Sequence, residues 1–434
     1  MTHHRSYYKV LIYIVCYFPG LVKEDTRPVE EIVREKLLHV LESAYPNILA
    51  VEDLVRIVGA DEVMVLEQLA ELQRRELIRG MECGGFVRHV LDTKTEVQEV
   101  KQMQQIVASS NQQPTIAIIT ANYCEKLAVD AMMENKTTYV KFKTGGESNA
   151  YTIGYIGDHK CVSTKLPMIG HGRAAQISSG NTTTRLLGTF QAVEHVFVVG
   201  VGGGVPHFTD YYKHPRLGDV IISDNTQTGH IYYYCEKILQ EKDGSLEFVT
   251  KAFRPKDNFL YTVLDGIKEQ RLRRNFNPWE KYIKDGLELL STQEADYNRP
   301  PPETDRLTMM IGEDNVIEMQ HPQNPEGIDE RQGMPKIQYG IMGAGKKFAK
   351  EDGLRIDFGA KFNINCFDSE FDQVLEAVVG SVKDSFMIIR GISDYSDGLQ
   401  KLEWQPYAAL AAAAVLKSII KSFNSPYISD DDLE

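Results

Sequence analysis

What this sequence lacks narrows the field first. Its six cysteines, Cys16, Cys83, Cys124, Cys161, Cys235 and Cys366, stand far apart, with no CxxC pair and no His/Cys cluster at metal-ligand spacing. That pattern argues against a disulfide scaffold and a structural zinc; reduced thiols, a cytoplasmic or nuclear setting, no metal and no cofactor are expected. Basic residues are in deficit: 48 Lys and Arg against 61 Asp and Glu leave a formal charge of −13. A general nucleic-acid binder needs a basic surface to release phosphate counterions, so DNA is not an expected partner. Long apolar runs are missing too. The nearest, Tyr7 to Val22, is shorter than the roughly 18 residues that cross a bilayer, is broken by Pro19, and runs into Lys23, Glu24 and Asp25 instead of a small-residue cleavage site. It reads as a tail or strand packed on the body, and no membrane partner is expected.

What is present is ordinary globular composition, 42% hydrophobic and 25% charged over 434 residues, enough for more than one core. After a tail over 1–27, Pro28 opens a helical pattern that aligns Ile32, Val33, Leu37, Val40 and Leu41. A second helix ends at Gly59, and a third, with an acidic first turn, carries Val63, Leu66, Leu69 and Leu72. Gly84-Gly85 then separates two β-prone runs as a hairpin turn. Helix, helix, helix, hairpin over 28–92 resembles a winged helix. Its third helix offers Asp61, Glu62, Glu67, Glu71 and Glu76 against Arg74 and Arg75, which suits a protein partner better than phosphates or base edges. The polar, Gln-rich stretch 93–113 reads as a short helix and linker.

From Pro114 to residue 424, short apolar runs alternate with helical ones: TIAIITA, VFVVGVGGG, DVIISD, PKIQYGIMGAG and SFMIIRGISD. They predict an α/β domain, with a mostly parallel or mixed central sheet flanked by helices on both faces and ligands at strand C-termini. Residues 277–333 read as a long surface excursion, and 425–434 as an acidic tail. The glycines after the second run, Gly200 and Gly202 to Gly204, are not a dinucleotide fingerprint: Val205 and Pro206 break it, and a loop follows where a phosphate-binding helix is needed. Glycines here let backbone approach a ligand or another strand.

Three motifs in order carry a more specific likeness. VGVGGGVPHF with HPRLGDVIIS, CFDSEF (366–371) and MIIRGISDYSD (387–397) resemble the glycine turn, the ribose-binding segment and the catalytic strand end of the purine nucleoside phosphorylase and methylthioadenosine/S-adenosylhomocysteine nucleosidase superfamily. The resemblance implies N-glycosidic cleavage of a purine nucleoside or nucleotide. Asp394 would be the general acid at the leaving base, and Glu370, beside Ser369, would hold the ribose hydroxyls. Glu125 would activate water. Phe348 and the backbone of Ala349 would meet the base, and Gly202 and Gly203 would line the site. A phosphorylase would carry an arginine and a serine where Val198 and Val201 stand, so a hydrolase releasing adenine is expected. A phosphorylase and a catalytically weak nucleotide sensor or scaffold are the alternatives. His171 and Arg173, with Lys346 and Lys347, are candidate contacts for a 5′-phosphorylated substrate. Homo-oligomerisation through this domain is likewise implied.

Overall fold

The computed structural model describes residues 27–90, 96–98, 113–141, 149–167, 173–224, 228–240, 245–274, 277–311, 315–325, 327, 333–345, 348, 352–368, 371–395 and 401–423. The tail read at 7–22 lies outside them.

In the N-terminal module, α1 (Val29–Ala44) buries Val33, Leu37, Val40 and Leu41. It is followed by β1 (Leu49–Ala50), α2 (Val51–Val58), α3 (Glu62–Arg74), β2 (Ile78–Gly80) and β3 (Gly85–Arg88). The strands form a small antiparallel sheet in the order β1-β3-β2. Gly59 closes α2 in the left-handed region, φ 71°, where a side chain would be strained. The stripe expected on α3 is corrected in part: Leu69 and Leu72 are buried with Val65, but Val63 and Leu66 are 63% and 44% exposed.

The second body begins with β4 (Glu96–Gln98), a strand inside the stretch read as helix and linker, paired in parallel with a later strand. Then come β5 (Ile116–Thr120), α4 (Tyr123–Ala131), β6 (Glu134–Lys141), β7 (Asn149–Ile156), β8 (His159–Lys165), α5 (Arg173–Thr189) and β9 (His195–Gly204). The chain continues through β10 (Val220–Ser223), β11 (Tyr232–Gln240), β12 (Leu246–Phe253), α6 (Phe259–Arg274) and α7 (Trp279–Leu290). Last are β13 (Leu307–Ile311), β14 (Asn315–Met319), β15 (Ile337–Gly345), α8 (Asp352–Phe362), β16 (Ile364–Phe367), α9 (Asp372–Gly380), β17 (Ser385–Asp394) and α10 (Gln405–Lys421).

One mixed sheet runs β12-β11-β15-β10-β17-β9-β5-β8-β7-β6-β4. Off this path, β16 pairs with both β15 and β9, so β9, β17, β10, β15 and β16 close a ring. The alanine-rich α10 packs on β17 so tightly that a Cβ on Gly391 would collide with the Ala408 backbone. The reading of 277–333 as a surface excursion is corrected: α7 buries Trp279, Tyr282, Ile283 and Leu290, and Tyr297, Asp305 and Leu307 are buried beyond it.

Candidate active site

The ring closes at the glycine end of β9, where Gly203 and Gly204 pair with β16. Gly203 of β9 pairs with Phe367 of β16 on one side and with Asp394 of β17 on the other. Such closure needs bare backbone: a Cβ on Gly202 would stand 2.7 Å from Cys366 Sγ and 3.1 Å from the Phe367 carbonyl. Between Ile392 and Asp394 the register slips, Ser393 being the extra residue. A bulge of this kind turns the strand end and re-aims its last side chain. Asp394 is thereby left half-buried at the strand terminus, within 3.3 Å of the Ser393 hydroxyl.

Glu125 reaches the same glycine segment from the opposite neighbour of β9. It sits on the first turn of α4, not in a loop, and its side chain turns back to accept from the Ala121 and Asn122 amides, both at Oε2, at 2.7 and 2.8 Å. Its other oxygen accepts from the Val201 amide at 2.8 Å and, more weakly, the Asn122 side chain at 3.3 Å. The carboxylate is 2% exposed and bridges the β5–α4 turn to β9. The glycine segment of β9 thus meets the Glu125 carboxylate at the Val201 amide on its β5 side and the backbone of Asp394 at Gly203 on its β17 side.

Two further charged groups, within the quoted motifs but given no role by sequence reasoning, lie beneath. Asp368 accepts from Arg390 Nε at 2.5 Å, and both side chains are 1% exposed. Burial opposes the Arg390 charge, but Asp368 and then Glu125 offset it and hold the guanidinium above its ordinary value. Arg390 also lies 4.6 Å over the Phe371 ring, and the Phe371 amide donates to the Tyr232 hydroxyl at 3.1 Å. Asp368 and Phe371 are therefore fixed on either side of Ser369 and Glu370. A charge in the apolar run SFMIIRGISD was the signal available in the sequence.

The LGD motif fixes the strand end from below. Gly218 donates to the Ile392 carbonyl at 2.7 Å and sits at φ 87° against Tyr407, while the buried Asp219 carboxylate accepts from the Arg216 and Lys336 amides, each at 2.9 Å. Tyr395, directly after Asp394, donates to Asp305, which also pairs with Arg216. His321 Nε2 lies 2.7 Å from the Asp305 carbonyl, and its other ring nitrogen meets His214 at 2.9 Å. The segment read as an excursion thus anchors the residue after Asp394.

Phe348 is 4% exposed and packs against Phe358 and Phe367, with ring centroids at 4.8 and 5.6 Å. Arg173 opens α5, but its side chain lies outside the described residues, as do His171, Lys346, Lys347, Ala349, Ser369 and Glu370. Among the described residues no group of three His, Cys, Asp or Glu side chains is placed to hold a metal ion. No helix among them is long and apolar enough to cross a membrane.

Residues 23–90 match the family model of the winged helix-turn-helix domain. The N-terminal module is a winged helix. Arg74, the last residue of α3, and Arg75, which caps it, both pair with Glu71, so a neighbouring carboxylate offsets the charge of both arginines. Over 311 residues, 70% of its length, the chain is 26% identical to a nucleotide-binding leucine-rich repeat (NLR)-like protein of Hyaloscypha variabilis, and it spans 29% of that relative. Similar solved structures include a 5′-methylthioadenosine/S-adenosylhomocysteine nucleosidase of Neisseria meningitidis, 15% identical with a TM-score of 0.42 over 71% of this chain and 99% of that one. A putative nucleosidase of the same type from Borrelia burgdorferi, bound to adenine, is 14% identical with a TM-score of 0.45 over 70% and 99%. Futalosine hydrolase of Helicobacter pylori is 12% identical with a TM-score of 0.43 over 72% and 99%.

Proposed function

We propose that the α/β body is an N-glycosidase of the nucleoside phosphorylase/nucleosidase superfamily that hydrolyses a purine nucleoside or nucleotide and releases the base, adenine being the expected one. The observation that carries this is the convergence on Val201 to Gly203 of two acidic residues: Asp394, at a bulged strand end and paired through its backbone to Gly203, and Glu125, pinned by backbone amides that include Val201. Glycosidic cleavage proceeds through an oxocarbenium-like state and needs an acid for the leaving group and a base for water. In this reading Asp394 protonates the base and Glu125 orients water. Glu370 with Ser369 holds the ribose hydroxyls, and Phe348, Ala349, Gly202 and Gly203 line the base and sugar. Val198 and Val201 offer no charge-assisted donors to phosphate, which favours water as acceptor. Lys346, Lys347, His171 and Arg173 are the groups we assign to a 5′ phosphate.

A second reading, a nucleotide sensor that binds without turnover, is favoured by one detail. Four donors already occupy Glu125, about the full lone-pair capacity of a carboxylate, so water gains a place only as the Asn122 amide withdraws. The readings separate when adenosine, methylthioadenosine, S-adenosylhomocysteine, AMP and ATP are each supplied with and without phosphate. The hydrolase releases adenine without phosphate, a phosphorylase requires it, and a sensor binds and releases none. Faster release from AMP or ATP than from methylthioadenosine, lost at high salt, is expected if these four basic residues face the substrate.

A further inference from the structure

The seam between the winged helix and the α/β body runs along the first turn of α4, the turn that carries Glu125. Lys165, the last residue of β8, is 1% exposed and crosses this seam. Its ammonium donates to the Ser43 carbonyl at 2.8 Å, the Tyr45 carbonyl at 3.2 Å and its neighbour Leu166 at 2.9 Å. Two of those three acceptors belong to the winged helix, at the C-terminal end of α1, where unpaired carbonyls and the helix dipole favour a cation. Burial pulls Lys165 down to about 7, against the opposing pull of Glu125, Glu42 and Cys124. Burying a lysine is costly, and docking of the winged helix supplies two of the three carbonyls that offset the cost here.

A second contact lies beside it. Tyr123, the first residue of α4, meets the Tyr45 ring edge-on, with centroids 5.6 Å apart and planes at 73°. The Arg88 guanidinium stands 5.0 Å over the same Tyr123 ring. Arg88 is aimed there by Glu42 at 3.0 Å and by the carbonyls of Leu77 and His89 at 2.6 and 2.8 Å. Tyr123 and Glu125 share one helical turn, so a shift of the first moves the second and its hydrogen bond to Val201.

We infer that the winged helix acts in cis as the positioning element for Glu125, with Lys165 and Arg88 as the positioning residues that transmit its docking to the site. The inference rests on the reading of Glu125 as the water-orienting carboxylate, but the geometry it predicts is measurable without turnover. The surface of the winged helix spent on Tyr123 is thereby committed to its own chain, leaving acidic α3 as the face toward any protein partner.

Amide hydrogen exchange in the full chain tests it, comparing wild type with Lys165→Met and, from the other side of the seam, Arg88→Met. The amides of Ala121, Asn122 and Val201, which donate to Glu125, are expected to exchange about tenfold faster in both variants, while those of Phe386 to Ile389 in β17 keep wild-type rates. Adenine release should lose kcat with KM nearly unchanged. Wild-type exchange at the three amides, or acceleration shared equally by β17, overturns the inference. A wild type that releases no adenine from any substrate overturns the hydrolase reading alone, because the amide rates still decide whether the winged helix holds Glu125. Should Lys165→Met fail to fold, Arg88→Met gives the same decision.

Discussion

Gly200 gives the sharpest test of how the site is built. A Cβ there would overlap the Glu125 carboxylate, with even the more distant oxygen only 2.6 Å away. Gly200→Ala must therefore expel the carboxylate or push β9 from α4. Overpacking of a buried seam costs about 1–3 kcal/mol. Displacing the carboxylate also strips the Ala121, Asn122 and Val201 amides of their acceptor, and a buried unpaired donor costs about 1–3 kcal/mol, part of it recovered by relaxation. A loss of about 2–5 kcal/mol follows for Gly200→Ala alone. In a Glu125→Ala background the obstacle is gone, and the same substitution should cost about 1 kcal/mol or less, a coupling of about 1 kcal/mol or more. Urea unfolding followed by tryptophan fluorescence suits the measurement, because both tryptophans, Trp279 and Trp404, are buried in the α/β body. Equal costs in the two backgrounds, within about 0.5 kcal/mol, would refute the bridge between α4 and β9.

Asp368→Asn leaves the Arg390 charge buried without its partner and should destabilise by about 3–5 kcal/mol, whereas replacing both by methionine should restore most of that loss. Unfolding midpoints of the three chains check it, and equal losses in the single and double variants would contradict it. Lys165 titrates near 7 in the fold and near its ordinary 10.5 when unfolded, so between those values the unfolded chain binds the extra proton and stability rises with pH. The burial penalty is fully present below about pH 7 and is relieved above it, so wild type should gain on Lys165→Met in unfolding midpoint from pH 7 to 9. A pH-independent difference would show that Lys165 titrates normally.

Much of this architecture was legible where order is local. The helical stripe of α1, the Gly59 stop and the Gly84-Gly85 turn follow from backbone preferences of single residues. The apolar runs of β5, β9, β10, β15 and β17 follow from burial on both faces of a sheet. Strands β6, β7, β8, β11 and β12 escaped because they carry many polar residues whose partners are remote. Lys126 in α4, for example, donates to Thr152 and Ser163 across two strands. Ring closure through β16 rests on four residues, INCF, too few for a period, and on glycines whose meaning depends on what approaches them. Asn122-Tyr123-Cys124-Glu125 does carry a local signal, the spacing of a capping box, which places Glu125 on a helix turn. The stripe assigned to α3 holds only at Leu69 and Leu72: the helix buries its inner face, and Val63 and Leu66 fall outside it.

Whether Asp394 supplies the proton to the leaving base is decided by adenine release from wild type and Asp394→Asn, in phosphate-free buffer on the best substrate of the panel. An amide keeps the shape and the Ser393 contact but has no acid proton to give. A rate loss of about 100-fold or more, with substrate binding retained, is expected. A variant that keeps more than about a tenth of the wild-type rate would contradict it, because general acid catalysis contributes more than that.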